Sequence, residues 1–197
     1  MLCQIHSSDK DALMDQDFEK AFVFTVGVEG IVSNDPNDSG GYTIYGISSR
    51  SYPDMVAKLK VLIDSNQKIA ALQIAKQFYY DEFWQPLFCE LLPYPVNAFY
   101  FDSAINEGGL TALSHLQKAC HWYLGSPALS ISTDTVQSIS GFLRNEQIEL
   151  FLLLACTART DYYLNIVNIN ENNHVFLHGW LNRVKRFRKN FMTILYE

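Results

Sequence analysis

Apolar residues recur at helical spacing along most of this chain. Phe18, Ala21, Phe22, Thr25, Val26 and Glu29 fall on one face of a first helix that starts near Asp15 or Asp17, either of which can cap it. The apolar members form a core-facing stripe, Glu29 stands at its C-terminal end, and Gly30 is the stop signal. From Ile69 onward the pattern is helical almost to the end, with helices predicted over 68–83, 94–107, 110–123, 134–142, 145–168 and 178–193. Pro86, Pro93, Pro95, Gly108-Gly109 and Pro127 punctuate them. Residues 31–50 differ. Asn34-Asp-Pro36, Asn37-Asp38 and Ser39-Gly-Gly41 are turn chemistry, and Tyr42-Thr-Ile-Tyr-Gly-Ile47 is β-prone. This is the one convincing strand signal, read as a short hairpin or irregular sheet.

The pattern predicts a mainly α fold with one small β-hairpin after the first helix and a helical C-terminal subdomain. The expected organisation is an N-terminal tail over 1–14, a main lobe over 15–124 and a dependent helical subdomain over 125–197. Phe22, Phe99, Phe101, Leu116, Leu153 and Trp180 are the core candidates.

Composition narrows the class. A chain of 197 residues that is 48% apolar and 18% charged can bury a core and is not a disordered segment. No stretch approaches ~18 consecutive apolar residues, so no membrane insertion is expected. The N-terminus MLCQIHSSDKDALMDQD lacks the basic and apolar regions of a signal peptide, so synthesis in the cytoplasm is expected, with any export by a non-Sec route. Cys3, Cys89, Cys120 and Cys156 are scattered and form no CxxC pair; reduced, mostly buried thiols are expected. Charge is uneven. Residues 1–182 hold 10 Lys/Arg against 20 Asp/Glu, a net of −10, whereas residues 183–197 hold five Lys/Arg against Glu197, a net of +4. An acidic body argues against a nucleic-acid partner. The basic run Arg183–Lys189 reads as the solvated face of a terminal helix or as a contact for an anionic polymer.

Glu29 is the leading catalytic candidate. A carboxyl at a helix end, facing Asp35 or Asp38 in the turn and Thr43 on the hairpin, suits glycosidic bond cleavage. One carboxyl, kept protonated by an apolar setting, protonates the leaving oxygen; Val26, Val28 and Ile31 can provide that setting. A second carboxylate holds a water or stabilises the oxocarbenium-like state. Glu and Asp nine residues apart also occur by chance, as a solvated helix end and a surface turn.

Glu29-Gly30, Asn34-Asp-Pro-Asn-Asp38-Ser-Gly-Gly41, Thr43 and Gly46-Ile47 resemble the signature of glycoside hydrolase family 108, lysozyme-like muramidases also called secretion activator proteins. The resemblance continues through Tyr79–Pro86, Leu92-Pro93, Phe101–Gly108 and Leu116–Ala119, and through Phe176–Val184 in a part termed a predicted peptidoglycan-binding domain. It covers roughly residues 16–187 in order. Ile31, Ser39 and Ile44 stand where the family usually has glycine, proline and asparagine, and the loop at Leu124–Thr135 keeps little of the family's form.

The resemblance implies a lysozyme-like fold and a peptidoglycan hydrolase. Glu29 matches the general acid, and Asp38 and Thr43 match positions that organise the attacking water, with Asp35 a rival second carboxylate. Tyr42 and Tyr45 either stack on a sugar ring or pack the hairpin. Asp102 and Asn106, four apart on one helix face, either line the cleft or cap neighbouring segments. Trp180 with Asn182 and Arg183 reads as closing the subdomain. His174 and His178 lack an HExxH glutamate between them and read as packing residues, so no metal or cofactor is expected. The implied partner is the glycan strand of peptidoglycan at the cell envelope, with a holin or secretion apparatus as the exit route. The rivals are a lytic transglycosylase and a wall-binding, secretion-assisting protein without turnover.

Overall fold

The computed structural model describes residues 7–27, 31–33, 41–120, 130–143 and 147–192. The chain divides into two compact units, Met1–Pro86 and Leu87–Glu197. Within the second unit, the helices over 96–119 pack with the C-terminal helix over 148–169.

In the first unit, α1 runs from Ser7 to Thr25. It starts earlier than Asp15 because residues 7–16 contain no glycine or proline to interrupt it. It also ends earlier. The Val26 amide closes onto the Phe22 carbonyl at 2.9 Å, and Gly27 takes the left-handed conformation (φ 75°) that stops the helix. Gly27 is therefore the stop of α1, three residues before the glycine expected from sequence. Phe18, Phe22, Tyr79 and Trp84 form an aromatic core, with centroids 5.4 Å apart for Phe18–Trp84 and 5.7 Å for Phe22–Tyr79. α2 (Pro53–Asp64) starts with proline in its first turn. The sequence reading misses it because only Val56 and Leu59 are buried, too narrow a stripe to register. α3 (Lys68–Tyr79) continues into a π-helical turn, Tyr80–Trp84.

The predicted hairpin is a three-stranded antiparallel sheet: β1 (Val32–Ser33), β2 (Thr43–Ile44) and β3 (Ile47–Ser48), in that order. Ile44 pairs with Ile47, leaving Tyr45-Gly46 as a two-residue turn with both φ values positive (49° and 75°), the type I′ geometry that matches strand twist. Glycine fits there freely, and a Cβ at position 46 would lie 3.1 Å from the Tyr79 hydroxyl. Gly46→Ala is therefore expected to cost roughly 1–2 kcal/mol, read as a lower urea midpoint with an unchanged slope.

In the second unit, α4 (Val96–Glu107) is buried on all sides from Val96 to Ala104. α5 (Gly109–Ala119), α6 (Thr133–Phe142), α7 (Ile148–Ile169) and α8 (His174–Phe191) complete it. Of the core candidates, Phe22, Phe99, Phe101 and Leu116 are fully buried. Leu153 is only half-buried because its neighbour Leu152 takes the inward position. Trp180 is half-buried, stacked on Tyr163 at 5.0 Å and on Phe176 at 5.8 Å. Cys89, Cys120 and Cys156 are buried free thiols; Cys3 lies outside the described residues. The fold is mainly helical with one small sheet.

Candidate active site

The sheet positions the one catalytic candidate that can be placed. Thr43 lies on the central strand, directly between Ser33 on β1 and Ser48 on β3. Residues directly opposite across antiparallel strands share a face, so the sheet has two rows. Val32, Ile44 and Ile47 form the apolar row, of which Ile44 and Ile47 are buried. Ser33, Thr43 and Ser48 form a hydroxyl row on the opposite face, Ser33 exposed and the other two partly so. The Ser48 hydroxyl accepts the Arg50 amide at 3.1 Å. Ser33 and Ser48 were missed from sequence; strand alternation about Thr43 was the signal, but β1 holds only two residues.

Glu29, Asp35 and Asp38 lie outside the described residues. The Ser33–Thr43 pairing fastens the chain before Asp35 and after Asp38, and the Tyr45 amide donates at 2.7 Å to the carbonyl of Ile31, two residues beyond Glu29 in the chain.

The two tyrosines separate. Tyr42 is half-buried, with its carbonyl accepting the Ser49 amide at 2.9 Å. Tyr45 is 5% exposed and is a packing residue, not a sugar platform. Its hydroxyl donates to the Lys68 carbonyl at 3.2 Å, and its own carbonyl accepts the Tyr79 hydroxyl at 3.0 Å. These contacts hold a bulky residue in the left-handed region that the turn demands.

Asp102 likewise does not line a cleft. It is 0% exposed in the second unit, with both oxygens taken by arginines. Arg159 Nη1 donates to Oδ2 at 2.7 Å, and Arg183 donates through Nε and Nη2 to Oδ1 at 2.9 and 2.7 Å. Asn106 is exposed, and its amide donates to the Asp102 carbonyl at 2.6 Å. Glu107 extends the cluster. Its Oε1 accepts from Arg159 Nε and from the Tyr163 hydroxyl (2.6 Å), and its Oε2 is 2.6 Å from His115 Nε2. Burial alone would raise the Asp102 carboxyl pKa, but Arg159 and Arg183 hold it below the usual range. Burial likewise opposes ionisation of Glu107, and the His115 hydrogen bond and Arg159 charge overcome it. Burial would lower the Arg159 pKa, yet the two carboxylates raise it. Carboxylates held ionised and multiply bonded cannot act as general acids, so the cluster joins α4, α5, α7 and α8. The sequence signal was Arg159, closing the apolar stretch of α7, where a cation needs buried carboxylates.

Among the described residues, no group of three or more His, Cys, Asp or Glu is placed to hold a metal ion. His174 and His178 are exposed on α8, and the His178 ring contacts the Asn182 amide at 3.2 Å. The basic run is solvated at Lys185, Arg186 and Lys189, whereas Arg183 is the partner of Asp102.

A mainly helical chain whose small sheet follows its first helix is consistent with a lysozyme-like fold. The family model described as Glycosyl hydrolase 108 matches residues 22–108 of this chain. The match includes Glu29, Asp35, Asp38 and Thr43 and ends before α5. The solved structure of Brucella abortus SagA is similar to 91% of this chain and to 94% of its own, with 20% identity and a TM-score of 0.60, a likeness of fold. No curated protein matches the chain.

Proposed function

We propose that the protein is a peptidoglycan hydrolase, an N-acetylmuramidase cleaving the β-1,4 bond between N-acetylmuramic acid and N-acetylglucosamine. The carrying observation is the glycosyl hydrolase 108 match over 22–108, which spans the Glu29-to-Thr43 segment leading into the sheet. In this reading Glu29 is the general acid that protonates the leaving oxygen. Asp38 is the base for water, and the Thr43 hydroxyl on β2 orients that water. Direct attack by water inverts the anomeric centre, which requires carboxyl groups about 6.5–9.5 Å apart. The hydroxyl row on either side of Thr43 offers donors and acceptors to sugar hydroxyl and acetamido groups. The protein works at the cell envelope, reached through a holin or a secretion apparatus.

The test is digestion of purified peptidoglycan with the full chain, followed by mass spectrometry. Reducing-end muropeptides are expected. Anhydro-muropeptides would make the protein a transglycosylase, in which the sugar's own hydroxyl replaces water. No product, with the protein still sedimenting with the wall, would leave a binding protein without turnover.

A further inference from the structure

The outward face of α8 is unlike the rest of this acidic protein. The helix contains no carboxylate, and its inner side is buried through Val184 and Phe187, the latter 5.4 Å from Phe99. At 100° per residue, Val175, His178, Asn182, Lys185, Arg186 and Lys189 fall together on the opposite side, and all six are exposed. The helix dipole rationalises cations in the last turn, where Arg188 and Lys189 stand. It does not account for Lys185 and Arg186 a turn earlier, nor for the apolar side chain that ends the same face, Val175, which is 76% exposed.

We propose that α8 docks the protein on an anionic phospholipid surface, as a peripheral contact. Two features select this occupant. Lysine and arginine without intervening carboxylates attract the phosphate headgroup layer. The exposed apolar side chain of Val175 at the end of the cationic face gains by entering the acyl boundary, a contact that neither a glycan nor a nucleic acid offers. The net −10 of residues 1–182 repels the same surface, which leaves α8 as the attractive element. No helix among the described residues is long and apolar enough to cross a membrane, so the contact is interfacial.

The test is co-sedimentation of the full chain with vesicles of phosphatidylglycerol and phosphatidylethanolamine, against phosphatidylcholine vesicles. Binding to the anionic vesicles alone is expected, weakening as salt is raised. The double variant K185E/K189E should lose affinity by at least about twentyfold, since each surface cation is worth roughly fivefold. V175S should weaken binding without altering its salt dependence. Circular dichroism should show both variants folded, because all three positions are exposed. Equal binding to both vesicle types, or binding unaffected by the charge reversal, would overturn the proposal. So would charge-dependent sedimentation with purified peptidoglycan but not with vesicles. None of these readouts depends on hydrolysis.

Discussion

Arg159→Met should destabilise the second unit by about 3–5 kcal/mol, the cost of leaving buried carboxylates without their cation. Arg159 is fully buried, and its guanidinium serves Asp102 and Glu107 at once. Methionine fills much of the volume but supplies no charge. Lysine would not rescue it, since a point charge cannot reproduce the fork that grips two carboxylates. The origin is separable from packing: R159M/E107Q should be less destabilised than R159M, because one unpaired charge has gone. Urea denaturation of the three proteins checks this, and a double variant no better than the single would assign the loss to packing.

The same cluster sets a pH dependence. Asp102 and Glu107 are both held below their unfolded values, so the folded state binds fewer protons than the unfolded state as pH falls through about 4. Their stabilisation is present above the unfolded values and is lost as acid protonates them in the folded state. In R159M the burial of both carboxyls works against ionisation with less opposition, so the gap between wild type and variant should narrow as the pH is lowered.

What could be read from sequence follows from how each element is stabilised. The long helices were legible because α4, α5 and α7 bury broad apolar surfaces at helical spacing, leaving only their ends uncertain. α2 was not, because two buried residues make no stripe. The end of α1 was misplaced because Gly27 and Gly30 are equally good stop signals, and only the backbone at Gly27 distinguishes them. Tyr45 is open between sugar stacking and hairpin packing from sequence because its aromatic character is local, whereas its partners Lys68 and Tyr79 are distant in sequence. Asp102 was ambiguous for the same reason. Its spacing from Asn106 fits a cleft or a cap equally well, and the deciding groups are 57 and 81 residues away. Thr43 was legible as a strand residue, but the hydroxyl row around it depends on register, which turn geometry and pairing fix.

On the proposed reading, Glu29→Gln should reduce peptidoglycan turnover by at least about 10²–10⁴-fold, the range of a positioned general acid. Glutamine preserves size and hydrogen-bonding reach but has no proton to give the leaving oxygen, so the loss should fall on kcat, with sedimentation on the wall retained. Asp38→Asn distinguishes the mechanisms. An inverting hydrolase needs that carboxylate to take a proton from water, so turnover should fall nearly as far. A transglycosylase would keep most of its activity, and its products would carry the anhydro ring. Thr43→Val, which retains shape and β-branching on β2 but removes the hydroxyl, should produce a smaller loss, since it orients water without exchanging its proton. The order Glu29 greater than or equal to Asp38, and both greater than Thr43, is what the assigned roles require. Turnover that survives Glu29→Gln would remove that residue from the chemistry and, with it, the muramidase mechanism proposed here.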